Sequence, residues 1–145
     1  MSNFRWPEAR LGEVCILNPR RSRIERKLDS PTSFVQMSSV DDLLGVIKTI
    51  EMRPYAEVAK GYTYFEENDV IFAKITPCMQ NGKHAIARGL VDGFGFGSTE
   101  FHVLRPGNEI LPEWIHFFIR QPFFLGKHSR HSQAQWASNV CPRAF

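Results

Sequence analysis

Residues 69–83, with the sequence DVIFAKITPCMQNGK, constrain the fold more than any other stretch of the chain. The first half is rich in β-branched and aromatic residues, as β-strands are. The Thr-Pro step disfavours helix, and the Asn-Gly step is typical of a tight turn. Lys74 and Lys83 bracket the turn. The pattern predicts two strands joined by a polar loop, which either presents its cations to an anion or is a plain solvated hairpin.

Positive charge is unevenly distributed along the chain. The net charge is only +3, but residues 20–27 contain five basic residues and one acid, and the chain after Glu113 contains four basic residues and no acid. The remainder is net acidic, with nine basic residues against fourteen acids. This segregation favours a polyanionic partner, and the alternative is a solvated basic loop.

The size and composition indicate one globular domain. The chain has 145 residues, of which 43% are hydrophobic and 23% charged. No apolar run approaches the roughly 20 residues of a membrane span, and the N-terminus lacks an apolar signal core. We therefore expect a cytoplasmic protein.

The cysteines and histidines do not predict a metal site. Cys15, Cys78 and Cys141 are odd in number and far apart, which argues against a disulfide framework and a zinc ribbon. His128 and His131 form a close pair with Cys141 downstream, but a fourth ligand is not evident.

Local patterns predict several short strands and one long helix. Strands are predicted at residues 34–37, 46–52, 69–75, 85–87 and 99–104, a polar loop at 20–31, and a Gly-rich loop at 89–97 anchored by Phe94 and Phe96. Proline near the start and apolar residues at helical spacing predict a helix over residues 112–125. Its core-facing stripe is Leu111, Ile115, Phe118 and Ile119. The predicted fold class is α+β, with short, mostly antiparallel strands and a C-terminal helix packed on the sheet.

Aromatic residues are concentrated at positions 55–65, beside Lys60. Such residues stack on nucleic-acid bases or, more commonly, pack in a core. Motifs of catalysis are missing: the sequence has no Gly-x-Ser-x-Gly, no His-Glu-x-x-His and no P-loop.

Several blocks in order resemble the target-recognition domain of the specificity subunit of Type I restriction-modification systems. They are LGEVCILNP (11–19), FVQMSSV (34–40), RPYAEVAKGYTYF (53–65), DVIFAKITPCMQNGK (69–83) and GFGSTEFHVLRP (95–106). The resemblance implies sequence-specific DNA recognition without catalysis, directing methyltransferase and restriction subunits to a target site. It also implies that those subunits bring S-adenosylmethionine, ATP and Mg²⁺, so no cofactor is expected on this chain.

The chain departs from the family pattern in two places. Gln80 stands where the family usually has Glu, and residues 127–145 lack the expected Gly-containing turn. We therefore expect one recognition domain at residues 1–126 and an atypical tail at 127–145, which from about Ser129 onward is either mobile in the isolated monomer or ordered only against a neighbouring chain. Since a whole specificity subunit carries two such domains and long helical spacers, we expect a half-subunit, a fragment or a truncated product.

Two functions follow from these observations. The first is binding of double-stranded DNA, for which we predict phosphate contacts by Arg20, Arg21 and Arg23, and positions nearer the bases for Lys74, Asn81 and Lys83. The alternative is a non-catalytic protein-interaction module, or a truncated remnant, that docks on a methyltransferase subunit. Its surface would be the apolar helix and the tail.

Overall fold

A computed structural model of the chain describes residues 8–73, 83–120 and 140–142. The elements, in chain order, are β1 (Glu8–Arg10), α1 (Leu11–Val14), β2 (Cys15–Leu17), β3 (Pro31–Val35), β4 (Glu51–Pro54), α2 (Tyr55–Val58), β5 (Thr63–Glu66), β6 (Val70–Ala73), β7 (His84–Ile86), β8 (Phe94–Gly97), β9 (Phe101–Pro106), α3 (Pro112–Ile119) and β10 (Val140–Pro142). Short 3₁₀ turns occupy Met37–Ser39 and Val91–Gly93.

The first sheet contains four antiparallel strands in the order β2-β9-β6-β7. The predicted strand at residues 69–75 is observed as β6, which is buried along its whole length. One face of this sheet is covered by α1 and α3, through a core that includes Leu11, Phe72, Leu104 and Ile115. Burying such side chains contributes about 1.5–3 kcal/mol each, which explains why the short α1 and α3 are held on the sheet.

The second sheet has the order β4-β3-β8-β5, and its β3–β8 pair is parallel. The prediction of a loop at residues 89–97 is wrong for β8, an interior strand whose four residues are all buried. The glycines permit close packing: a Cβ at Gly97 would lie 2.8 Å from the Val35 carbonyl oxygen, and one at Gly95 would lie 3.1 Å from that of Ser33. Phe94 and Phe96 are buried, as predicted.

The two sheets share a core. One cluster combines Val35 and Phe65 from the second sheet with Ile71, Ala85 and Val103 from the first. The outer face of the second sheet carries a further aromatic cluster, against which Ile24 of the loop at residues 20–30 packs. The described part of the chain is therefore layered as helix, first sheet, second sheet and loop, and the predicted α+β class is confirmed.

Two local predictions need correction. The strand predicted at residues 46–52 begins only at Glu51 and continues through Pro54. Proline is tolerated in it because β4 is an edge strand, where a missing N–H donor costs little. Leu111 is 54% exposed and does not belong to the core stripe of α3, because it precedes the first helical turn. The other stripe residues, Ile115, Phe118 and Ile119, are buried.

The end of the chain is only partly described. The backbone of β10 pairs antiparallel with β1, so residues 140–142 contact the same chain's N-terminal strand. The predicted continuation of the helix beyond residue 120, and most of the predicted mobile tail, lie outside the described residues. Among the residues described, no helix is long and apolar enough to cross a membrane.

Candidate nucleic-acid interface

Several strands end at one edge of the molecule. The parallel strands β3 and β8 end side by side, where Val35 pairs with Gly97. The turn at residues 98–100 then joins the two sheets, and β6 ends at Ala73 opposite Phe101. Ala73 and Lys83, which flank residues 74–82 in the sequence, therefore lie at this same edge. We call this edge, formed by residues 36–39, 61–62, 98–100 and Lys83, the loop edge.

A pocket of about 320 Å³ opens at the loop edge. Tyr62 is 40% exposed, and its ring contacts Phe34 edge-on with 4.8 Å between centroids. The guanidinium of Arg53 lies 4.0 Å from the centroid of the Phe34 ring and forms an ion pair with Glu51 at 2.8 Å. Gln36 donates a hydrogen bond to the same carboxylate at 2.7 Å. The pocket thus offers an aromatic surface beside amide and guanidinium donors, a combination that suits stacking on and hydrogen bonding to bases.

Lys83 is bound within the chain. Its Nζ donates to the Val40 carbonyl oxygen at 2.7 Å, and its own carbonyl accepts a hydrogen bond from Ala73 N–H at 2.9 Å. The first bond ties Lys83 to the loop that follows β3, and the second ties it to β6 of the first sheet. The other two predicted base-contacting residues, Lys74 and Asn81, lie outside the described residues.

The basic loop at residues 20–27 crosses the outer face of the second sheet. Arg20 is exposed. The side chain of Arg23 is 92% exposed and lies 4.0 Å from the equally open carboxylate of Glu25, a pair that stabilises little. These two cations are therefore open to an external anion.

Arg21 differs from its neighbours because its guanidinium is engaged within the chain. It donates hydrogen bonds to the Ala59 carbonyl oxygen and to the Tyr55 hydroxyl. It also lies 5.4 Å over the Phe96 ring and 5.6 Å over the Tyr55 ring. Cation–π contacts of this kind and two hydrogen bonds hold the basic loop against the sheet.

A polar network anchors the same loop from the other side. Arg105 donates to both oxygens of Asp69, at 3.0 and 2.8 Å, and lies 3.0 Å from Glu66. Ser22 of the basic loop donates to Glu66 at 3.1 Å. Hydrogen bonding to Asp69 raises the pKa of Arg105, so the guanidinium stays charged. The network thereby ties residue 22 to the centre of the first sheet.

Sequence reasoning missed part of the loop edge. Gln36, Arg53, Ser98 and Thr99 line the pocket, whereas the sequence predicts base stacking only for the aromatic residues at positions 55–65, of which Tyr62 lines the pocket. No local signal identifies the others, because the parallel pairing of β3 with β8 brings together segments far apart in the chain.

The structure offers no metal centre in the residues that it describes, where no three His, Cys, Asp or Glu side chains are grouped for metal binding. His128 and His131, and the side chain of Cys141, fall outside that description.

Comparison with known proteins gives relatives along nearly the whole chain, although no protein-family model matches. The chain is 33% identical over 141 residues to the Type I restriction enzyme EcoEI specificity subunit of Escherichia coli. It is 30% identical over 141 residues to the EcoAI specificity subunit of the same organism. Each alignment covers 97% of this chain but only 23% or 24% of the relative, so the chain spans about a quarter of the relatives' length.

Solved structures share the fold. A chain from a study of complex assembly and conformational transition of the type I R-M system matches with a TM-score of 0.72 at 20% identity, over 96% of this chain and 38% of that one. The HsdS subunit from Thermoanaerobacter tengcongensis matches with a TM-score of 0.71 at 21% identity, over 95% of this chain and 38% of its own. The resemblance to specificity subunits is thus confirmed: the chain is homologous to one segment of the specificity subunits of Type I restriction enzymes, and it shares the fold of the two solved structures.

Proposed function

We propose that this chain recognises a specific sequence in double-stranded DNA, as a target-recognition domain of a Type I specificity subunit. The observation that carries the proposal is an alignment: 97% of the chain aligns with the specificity subunits of two Type I restriction enzymes. The interaction-module alternative is not favoured, because both relatives are named for specificity and the two solved neighbours share the fold.

The loop edge is the proposed DNA-facing surface. It combines the exposed ring of Tyr62 and polar side chains with Ala73 and Lys83, the residues that flank segment 74–82 in the sequence. Polar side chains on loops carried by a rigid sheet are suited to reading base edges in the major groove. In this arrangement Lys74 and Asn81 lie nearest the bases, while Lys83 positions the segment.

We assign the phosphate contacts to two arginines of the basic loop. Arg20 and Arg23 supply exposed guanidinium groups, which bind phosphate oxygens well. Arg21 contributes by holding the loop on the sheet, since its donors are already bonded to Ala59 and Tyr55. Phosphate contacts fix the orientation of the protein, and base contacts then supply specificity.

The proposal assigns no catalysis and no cofactor to this chain. Its partners would be methyltransferase and restriction subunits of the same system, which would supply the chemistry once the DNA sequence is bound. A cytoplasmic location follows from those partners and from a DNA target.

Selection from a random duplex pool by the purified chain tests the proposal. We expect enrichment of a defined sequence, and an affinity for that duplex that falls steeply as salt rises from about 50 to 200 mM. Binding is described by the slope of the logarithm of the binding constant against the logarithm of the salt concentration. The double change Arg20→Ala and Arg23→Ala should reduce the size of this slope by about two, since each phosphate contact contributes about 0.9 to it.

Arg10→Ala is the matched control. Arg10 is an exposed cation directly before α1, which packs on the face of the first sheet that is turned away from the second sheet and the basic loop. Its replacement should leave the slope and the selected sequence unchanged. Failure to enrich any sequence, or binding insensitive to salt, would contradict the proposed function.

A further inference from the structure

A pocket of about 350 Å³ lies beside β7, and none of its lining residues belongs to the loop edge. Its volume falls within the range of small-ligand sites. The lining combines an apolar wall with three basic side chains, namely Val46, Ile47 and Ile86 on the wall, and Arg88, His116 and Arg120. The lowered pKa of His116 favours its neutral ring, so the positive charge of the lining comes from Arg88 and Arg120. Apolar contact area beside two guanidinium groups is suited to a small molecule that has an anionic group and an apolar body.

Arg120 brings positive charge that the described residues leave uncompensated. Its Nη2 donates to the Leu43 carbonyl oxygen at 3.3 Å, and no described carboxylate lies within ion-pair distance of it. Burial lowers the pKa of both His84 and His116, and the nearby Arg120 guanidinium adds to the effect. An anion in the pocket would therefore be attracted to Arg120, because no described carboxylate is already paired with its guanidinium.

Gly45 shapes the wall next to this charge. Its φ is +65°, and a Cβ there would lie 2.8 Å from His116 Cε1 and 3.4 Å from Arg120 Nη1. The preceding turn is held by Asp41, whose Oδ1 accepts hydrogen bonds from the N–H groups of Leu43 and Leu44, both at 2.8 Å. A fixed turn with glycine at this position keeps a side chain out of the space beside the two basic groups.

Arg88 supplies a second guanidinium at the rim. Its Nε donates to Asn68 Oδ1 at 3.3 Å, and its Nη2 is paired with Glu113. Since both partners of that ion pair are about half exposed, the pair stabilises little. Arg88 is therefore able to turn toward a bound anion at small cost.

We propose that this pocket binds a small organic phosphate of mononucleotide size. The phosphate lies between Arg88 and Arg120, because guanidinium groups bind phosphate oxygens through paired, charge-assisted hydrogen bonds. The apolar or aromatic body of the ligand packs against Val46, Ile47 and Ile86. This site is independent of the proposed DNA interface, since the two share no lining residue.

Calorimetric titration of the purified chain with adenosine 5′-monophosphate tests the proposal, with adenosine and inorganic phosphate titrated separately. We expect saturable binding of the nucleotide, and weaker binding of each half. Arg120→Gln should weaken nucleotide binding about tenfold or more, because it removes a charge-assisted contact. Val46→Glu should weaken it as well, by placing a carboxylate at the apolar wall.

Arg23→Gln is the control, since it removes an equally charged arginine on the basic loop and should leave nucleotide binding unchanged. Arg120→Gln should melt within a few degrees of the parent and bind the selected duplex normally. Equal nucleotide affinity in Arg120→Gln and Arg23→Gln would overturn the proposal, as would inorganic phosphate binding as tightly as the nucleotide. Competition by duplex DNA, with DNA affinity lost in Arg120→Gln, would instead make the pocket part of the DNA interface.

Discussion

At the scale of single residues, His84 and His116 make folding stability depend on pH. Their ring nitrogens, Nδ1 of His84 and Nε2 of His116, lie 2.9 Å apart in a hydrogen bond. Burial lowers the pKa of His84 to about 3 and lowers that of His116 as well. Both rings protonate less readily in the fold than in the unfolded chain, so unfolding takes up protons below about pH 6.5. The contribution of the two histidines to stability is therefore complete above that pH and is lost as pH falls, down to about 3 for His84.

We expect the free energy of unfolding to fall by at most about 1.4 kcal/mol per pH unit for each histidine between pH 6.5 and 5. Denaturant titrations across that range measure the slope. His84→Gln should lower the overall stability and make the slope shallower by about one proton. An unchanged slope in that variant would show that His84 titrates normally in the fold.

At the scale of elements, β8 depends on its glycines for its place in the second sheet. A Cβ at Gly97 would meet the Val35 carbonyl oxygen at 2.8 Å and the Phe65 ring at 3.0 Å, and the backbone atom has little freedom to move. We expect Gly97→Ala to destabilise the fold by about 1–3 kcal/mol through overpacking, measured by denaturant unfolding. Gly93→Asn is the control, because Gly93 has open space around it and asparagine tolerates its positive φ. Equal losses in the two variants would contradict the packing explanation.

At the scale of the whole molecule, the three hydrophobic clusters consist of residues between Leu11 and Ile119, so far as the chain is described. Residues 127–145 contribute to the described fold only the three-residue pairing of β10 with β1. We therefore propose, as the sequence predicted, that residues 1–126 form the domain. Deleting 127–145 should lower the melting midpoint by no more than about 4 °C, roughly 1 kcal/mol, in a calorimetric scan. A loss of 10 °C or more would place the tail in the core.

Local patterns were sufficient for the elements whose own residues determine their conformation. β6 follows from a run of β-branched and aromatic residues, and α3 from its proline start and apolar spacing. They failed at β8, since alternating glycine and phenylalanine has the composition of a loop. Burial between β3 and β5 makes that stretch a strand, and this pairing is not visible in the stretch itself.

The candidate site was predictable in outline only. Charge clustering identified Arg20 and Arg23, whose exposure agrees with a role in binding an anion. The same clustering gave no means of separating Arg21, whose partners Tyr55 and Ala59 come from another part of the chain. Charge is a property of one residue, but its availability depends on which distant groups surround it.

The α+β class and the relationship to Type I specificity subunits could be inferred from the residues alone, because both depend on residue order and local periodicity along the chain. Three features required the folded chain: which cations are open, that Gln36, Arg53 and Thr99 share a pocket with Tyr62, and that Arg88 and Arg120 line a second pocket. Each of these depends on contacts between segments far apart in sequence, which form only when the parallel β3–β8 pair and the packing of α3 bring them together.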